Sequence, residues 1–103
     1  MSDGYVLRED GGSIEVTPAA LAQIIQGAAE SADGARVRRP RRGLDLRLDD
    51  GHAHVELELA ARYGVVLPDL ARDVQERVAE ALTAMVDLEV EAVDVSIEEL
   101  EDV

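Results

Sequence analysis

The pattern that most constrains this chain runs through residues 61–97, A-R-Y-G-V-V-L-P-D-L-A-R-D-V-Q-E-R-V-A-E-A-L-T-A-M-V-D-L-E-V-E-A-V-D-V-S-I, where the apolar period changes from helical to alternating. Leu67, Leu70, Ala71, Val74, Val78, Ala81, Leu82 and Met85 fall on one helical stripe, which must be buried. Asp69, Arg72, Asp73, Glu76, Arg77 and Glu80 fall on the opposite side and face water. Pro68 suits the first helical position, where its missing N–H is no loss. Asp69 in the first turn complements the helix dipole, and Asp73 and Arg77 are spaced for an i,i+4 ion pair. Beyond Asp87, Val93, Val95 and Ile97 alternate with Asp94, Ser96 and Glu98, the signature of a half-buried strand.

The first half supplies the partners for this unit. Ser13–Val16 reads as a short strand, Thr17 as a helix N-cap and Pro18 as the first helical residue. Leu21, Ile24, Ile25, Ala28, Ala29 and Ala32 repeat at helical spacing, and Gly34 closes the helix. Gly27 inside it costs about 1 kcal/mol relative to Ala; it either admits another backbone or is simply tolerated. Ala35–Arg38 forms a short strand, and Arg39–Gly43 is a loop broken at Pro40. Leu44, Leu46 and Leu48 alternate up to Asp50-Gly51, a hairpin turn signal. On the return strand Ala53, Val55, Leu57, Leu59 and Ala61 face one way, and His52, His54, Glu56 and Glu58 the other, until Gly64. Residues 1–11 show no sustained period and are expected to be a flexible N-terminus, 12–98 a single domain and 99–103 an acidic tail. The order β-α-β-β-β-α-β, with one-sided strands, gives an α+β two-layer sandwich. Two amphipathic helices cover one face of a mostly antiparallel sheet whose other face is open to water.

The run Y-G-V-V-L-P-D-L-A-R-D-V-Q-E-R-V, ending in V-D-V-S-I, resembles the alkaline-shock-protein family, the cell-envelope stress proteins of Gram-positive bacteria. G-S-I-E-V-T at residues 12–17 matches that family's opening strand-to-helix pattern, so the resemblance covers roughly residues 12–97. Two positions depart from it. The usual Gly-Val after the first helix is Gly34-Ala35, and the usual Met-Thr-Gly late in the second is Met85-Val86-Asp87. The resemblance implies a cytoplasmic, non-catalytic protein, recruited to the membrane by a membrane-anchored partner protein and inclined to self-assemble. It brings no catalytic residues with it.

Composition narrows the classes further. The chain has 103 residues, no Cys, Phe or Trp, and only Tyr5 and Tyr63 as aromatics, so the core is aliphatic and disulfide and thiolate chemistry are excluded. No apolar window is long enough to span a bilayer, and the acidic, polar start is unlike a secretory signal. The expectation is a cytoplasmic protein, peripheral at the inner face of the membrane when recruited there. The net charge of −13 is unevenly spread: residues 35–48 hold six Arg and one Asp, whereas 49–103 hold sixteen acids and three Arg.

That basic island frames the candidate site. Arg36, Arg38, Arg39, Arg41 and Arg42 can grip oxyanions, and Glu98, Glu99, Glu101 and Asp102 form an acidic counterpart at the other end of the chain. The charge split points to pairing between molecules, head to tail, as partner- or oligomer-binding residues, and the sequence leaves open whether the two groups also meet within one molecule. Nucleic acid is the alternative ligand for the Arg36–Arg42 loop, disfavoured by the acidic whole and the lack of stacking aromatics. An anionic lipid surface suits the same loop. His52, His54 and Glu56 share one strand face and offer metal donors, but two neighbouring His with no third ligand elsewhere make a weak site. No metal or other cofactor is therefore expected, and a metal-dependent enzyme at His52 and His54 ranks third. Ser13, Ser31 and Ser96 lie in no nucleophile motif and no Gly-rich phosphate loop occurs, so no small-molecule substrate is expected.

Overall fold

The computed structural model describes residues 4–38 and 43–102. In chain order the elements are β1 (Tyr5–Glu9), β2 (Gly12–Val16), α1 (Pro18–Glu30), β3 (Ala35–Val37), β4 (Leu44–Asp49), β5 (His52–Arg62), α2 (Leu67–Val86) and β6 (Glu89–Glu101). From β2 onward this is the order expected from the sequence, and the two-layer α+β sandwich is present. The N-terminal segment differs from expectation. Residues 5–9 pair antiparallel with β2, from Tyr5 opposite Val16 to Glu9 opposite Gly12. This hairpin meets the core at its base, through Tyr5 and Val16, in keeping with an elongated outline of 50 × 22 × 20 Å.

The main sheet is built around β5. A strand has two edges, and β6 occupies one of them along its whole length, in parallel. β3 and β4 share the other edge end to end, both antiparallel: β3 pairs with Leu59–Ala61 and β4 with His52–Leu57. They meet at Glu58. Arg38 N–H donates to the Glu58 carbonyl at 2.9 Å, and Glu58 N–H donates to the Gly43 carbonyl at 2.7 Å. Arg38 and Gly43 thus flank the junction closely, and a Cβ at Gly43 would overlap the Arg38 carbonyl oxygen. The mostly antiparallel expectation holds for β1–β2, β3–β5 and β4–β5. The parallel exception follows from α2, which crosses from the end of β5 to the start of β6.

Both helices lie on one face. Leu21 and Ile25 of α1 and Val74, Val78 and Leu82 of α2 close over Leu46, Val55, Leu57 and Leu59, all 0–2% exposed. Val95, opposite Leu57, packs against the same cluster. Thr17 Oγ1 accepts from Ala20 N–H at 3.2 Å and caps α1 as expected. α1 ends at Glu30 with Ser31 as its cap, earlier than expected. Ala32 lies beyond the helix yet is buried, and Gly34 serves instead as the positive-φ entry into β3. Gly27 is surrounded by open space, so it is tolerated rather than used for close approach.

In α2 the buried row is Leu70, Val74, Val78, Leu82 and Val86. A row climbing in fours turns about 40° around the helix per step. By the last turn it has moved off Met85, which is 65% exposed rather than buried as its spacing suggests. Pro68 sits one position inside the first helical residue, Leu67, behind the cap Val66. Among the described residues no helix is long and apolar enough to cross a membrane.

Candidate functional site

The open face of the sheet carries every described candidate residue except Glu98, on the last bulge, and Asp102, beyond β6, and its geometry is set by β6. Two register shifts interrupt the β5–β6 ladder. Val90 faces Ala53 but Ala92 faces His54, leaving Glu91 as an extra residue; Ile97 faces Leu59 but Glu99 faces Ala60, leaving Glu98 as a second. Each bulge resets the phase of the strand. Without the first, Asp94 would fall opposite Leu57 and point into the core. With it, Asp94 falls opposite Glu56 on the open face while Val93 and Val95 stay inside. The second does the same for Glu99 and Glu101, leaving Leu100 opposite Ala61.

At the β3 end Arg36 and Arg38 meet Glu101 and Glu99 within one molecule, although they are far apart in sequence. Arg36 forks onto Glu101, its Nε donating to Oε1 at 3.2 Å and its Nη2 to Oε2. Arg38 lies 3.6 Å from Glu99 and 3.9 Å from Glu58. These side chains arch over Ala60, which is fully buried although it lies on the open face. The hydrogen bond from Arg36 holds the Glu101 carboxyl below its ordinary value and raises the guanidinium in return. Nearby, Arg62 forks onto Asp33 with both contacts at 3.0 Å and lowers that carboxyl in the same way. Such exposed pairs are individually weak. Of the remaining predicted residues, Glu98 is the bulge residue and accepts from the Ser96 hydroxyl, and Asp102 is exposed beyond β6. Arg39, Arg41 and Arg42 lie outside the described residues.

At the β4 end the face is acidic. Asp45, Glu56 and Asp94 stand in register across three neighbouring strands. With Glu58 and Ser96 they line an open depression of about 280 Å³. His54 Nε2 lies 2.7 Å from Asp94 Oδ2, and Arg47 lies 3.7 Å from Glu56. His52 stands apart, 3.3 Å from Glu89 and with Nδ1 3.1 Å from the Asp50 carbonyl. Of the three metal candidates the structure therefore groups His54 and Glu56 with Asp94, leaving out His52. Asp94 was not legible as a partner. The one clue is the spacing of three between Val90 and Val93, which breaks the alternation and marks a bulge. Large apolar side chains are also exposed where β5 turns into α2, with Tyr63 at 68%, Val66 at 61% and Leu100 at 49%. They sit together at one end, since Leu100 pairs with Ala61 and Tyr63 N–H donates to the Glu101 carbonyl.

A helix-covered sheet with one charged, open face and no buried polar group among the described residues defines a small α+β module. The chain belongs to the alkaline shock protein family, whose model, described as one of cell envelope-related function, matches residues 32–101. No curated protein matches it. Its fold is similar to that of solved MamM-CTD structures. One variant, with an Asp and a His each changed to Ala, is 23% identical with a TM-score of 0.56 and covers 81% of this chain and 94% of that one. Another, with a His changed to Asp and described as a cadmium form, is 24% identical with a TM-score of 0.56 and covers 81% and 96%. At that identity the likeness concerns the fold alone.

Proposed function

We propose that this chain is a non-catalytic scaffold or interaction protein of the cell-envelope stress response, brought to the membrane by a membrane-anchored partner protein and assembling with copies of itself. Family membership supports the envelope role. The observation that carries the assembly reading is the opposite charge of the two sheet edges. β6, on one edge, holds six acids and no basic residue. On the other edge the chain departs at Arg38 and returns at Gly43 with Arg39, Arg41 and Arg42 in between. Arg36 and Arg38 are engaged within the molecule, and we assign contact with a neighbour to Arg39, Arg41 and Arg42, which lie outside the described residues. A heterologous contact of this kind, where its rotation does not close a ring, builds open chains of molecules. Exposed pairs are weak singly, and the apolar cluster of Tyr63, Val66 and Leu100 supplies contact area beside the acidic edge.

Sedimentation at low and high salt tests this. Larger species at low salt should shrink in high salt, in Arg39, Arg41 and Arg42 changed together to Ser, and in Tyr63→Ser. A monomer throughout refutes self-assembly. For the membrane partner, the purified protein should cosediment with native membrane vesicles and lose that binding when the vesicles are first treated with protease. Binding that survives protease points to lipid and refutes the partner protein.

A further inference from the structure

Like charges directly opposite on neighbouring strands repel, and Asp45, Glu56 and Asp94 are such a row. Arg47 lies 3.7 Å from Glu56, and the His54 ring lies 2.7 Å from Asp94. The sequence disfavours a metal here because two His on one strand lack a third ligand. The first bulge of β6 removes that objection by turning Asp94 outward.

We propose that His54, Glu56 and Asp94 form a binding site for a zinc-class divalent cation on the open sheet face. One atom from each lies within 4.8 Å of the others. A tetrahedral ion about 2.1 Å from each donor needs ligand atoms about 3.4 Å apart, which ordinary side-chain adjustment reaches from here. His54 and Glu56 are alternate residues of one strand, and Asp94 is the register partner of Glu56 on the next. The three donors thus stand on two hydrogen-bonded strands rather than on a loop. The donor set is one imidazole nitrogen and two carboxylate oxygens. It suits zinc, cobalt or nickel better than magnesium or calcium, which take oxygen alone. Two carboxylates neutralise the ion, water fills its remaining position from the open side, and binding relieves the repulsion between Glu56 and Asp94. Arg47 releases Glu56 as the ion enters. This site is independent of the assembly proposed above.

Calorimetric titration of the full chain with zinc chloride, backed by the visible spectrum of the cobalt(II) form, tests the site. One ion per chain is expected, with a micromolar dissociation constant. His54→Gln and Asp94→Asn should each weaken it by more than the roughly 10- to 100-fold that loss of a mere outer partner costs a metal site. His52→Gln should leave it unchanged. All three are exposed or half-exposed substitutions, and circular dichroism checks that each variant folds. Absence of saturable binding overturns the proposal. So does binding equal in all variants, which marks loose attraction to an acidic surface, or binding lost in His52→Gln and kept in Asp94→Asn.

Discussion

Asp87 occupies the left-handed position that ends α2, with φ 56° and ψ 36°. The resemblance noted in the sequence implies Gly at this position. The backbone bonds of the cap, Asp87 N–H to the Thr83 carbonyl at 3.1 Å and Leu88 N–H to the Leu82 carbonyl at 3.2 Å, need no side chain from residue 87. Leu88, 1% exposed, anchors the turn from the other side. A residue with a Cβ in this conformation is disfavoured by roughly 1 kcal/mol, near the low end of the range because Asp tolerates it better than most. Its carboxylate also faces the negative end of the helix dipole, a further penalty of about 0.3–1 kcal/mol. Against this, Gly gives the unfolded chain extra freedom worth about 0.4–1 kcal/mol. Asp87→Gly should therefore stabilise the fold by about 1 kcal/mol, which in a domain of this size raises Tm by about 4–8 °C. Urea unfolding reads it as a higher midpoint at unchanged slope. Asp87→Asn should gain only the electrostatic share, and Asp87→Ala should gain less than Gly or lose stability. If Gly and Ala prove equal, backbone strain at this cap plays no part.

Leu82→Ala, at a fully buried position facing the sheet, should cost about 2–5 kcal/mol, while Glu58→Ala, whose charge partner Arg38 is 3.9 Å away, should be nearly silent; equal urea midpoints for the two would refute the layered core. Acid sensitivity offers a second check. The carboxyls of Asp33 and Glu101 are lowered in the fold by Arg62 and Arg36, so the stability they add is present above the ordinary carboxylate range and fades as pH falls through their lowered values. Arg36→Gln should make stability less steeply pH-dependent below about pH 4, and an unchanged acid limb would show that the Arg36–Glu101 pair contributes nothing in solution.

Much of this fold is written in local chemistry. Thr17-Pro18, Asp50-Gly51 and the stripe of α2 each specify their element by a mechanism that acts within a few residues. β1 was missed although Asp10-Gly11 is the same turn signal as Asp50-Gly51. Its strand is short and only half-buried, so the alternation of Tyr5 and Leu7 is too brief to register. Met85 was misplaced because a stripe read at fixed spacing ignores the slow rotation of a buried row that follows a twisted sheet. The candidate site was half legible. His54 and Glu56 share a face by strand period alone, whereas their partner depends on the register of a parallel strand forty residues away in sequence, and that register is set by packing. The meeting of Arg36 with Glu101 escaped the sequence for the same reason.

The junction at Glu58 bears on how such a protein acquires a partner. Both ends of the Arg38–Gly43 excursion are fixed to the same residue of the central strand, so the register of β3 and β4 is independent of what lies between them. Lengthening a segment whose ends are already held together adds little closure entropy, about 0.6 kcal/mol for each doubling. Between those fixed ends, charge, length and sequence can thus be rewritten while β3 and β4 keep their alignment on β5. On the assembly proposed above, changes of binding partner need not pass through unstable intermediates, because the residues assigned to the partner and the residues that hold the fold vary separately.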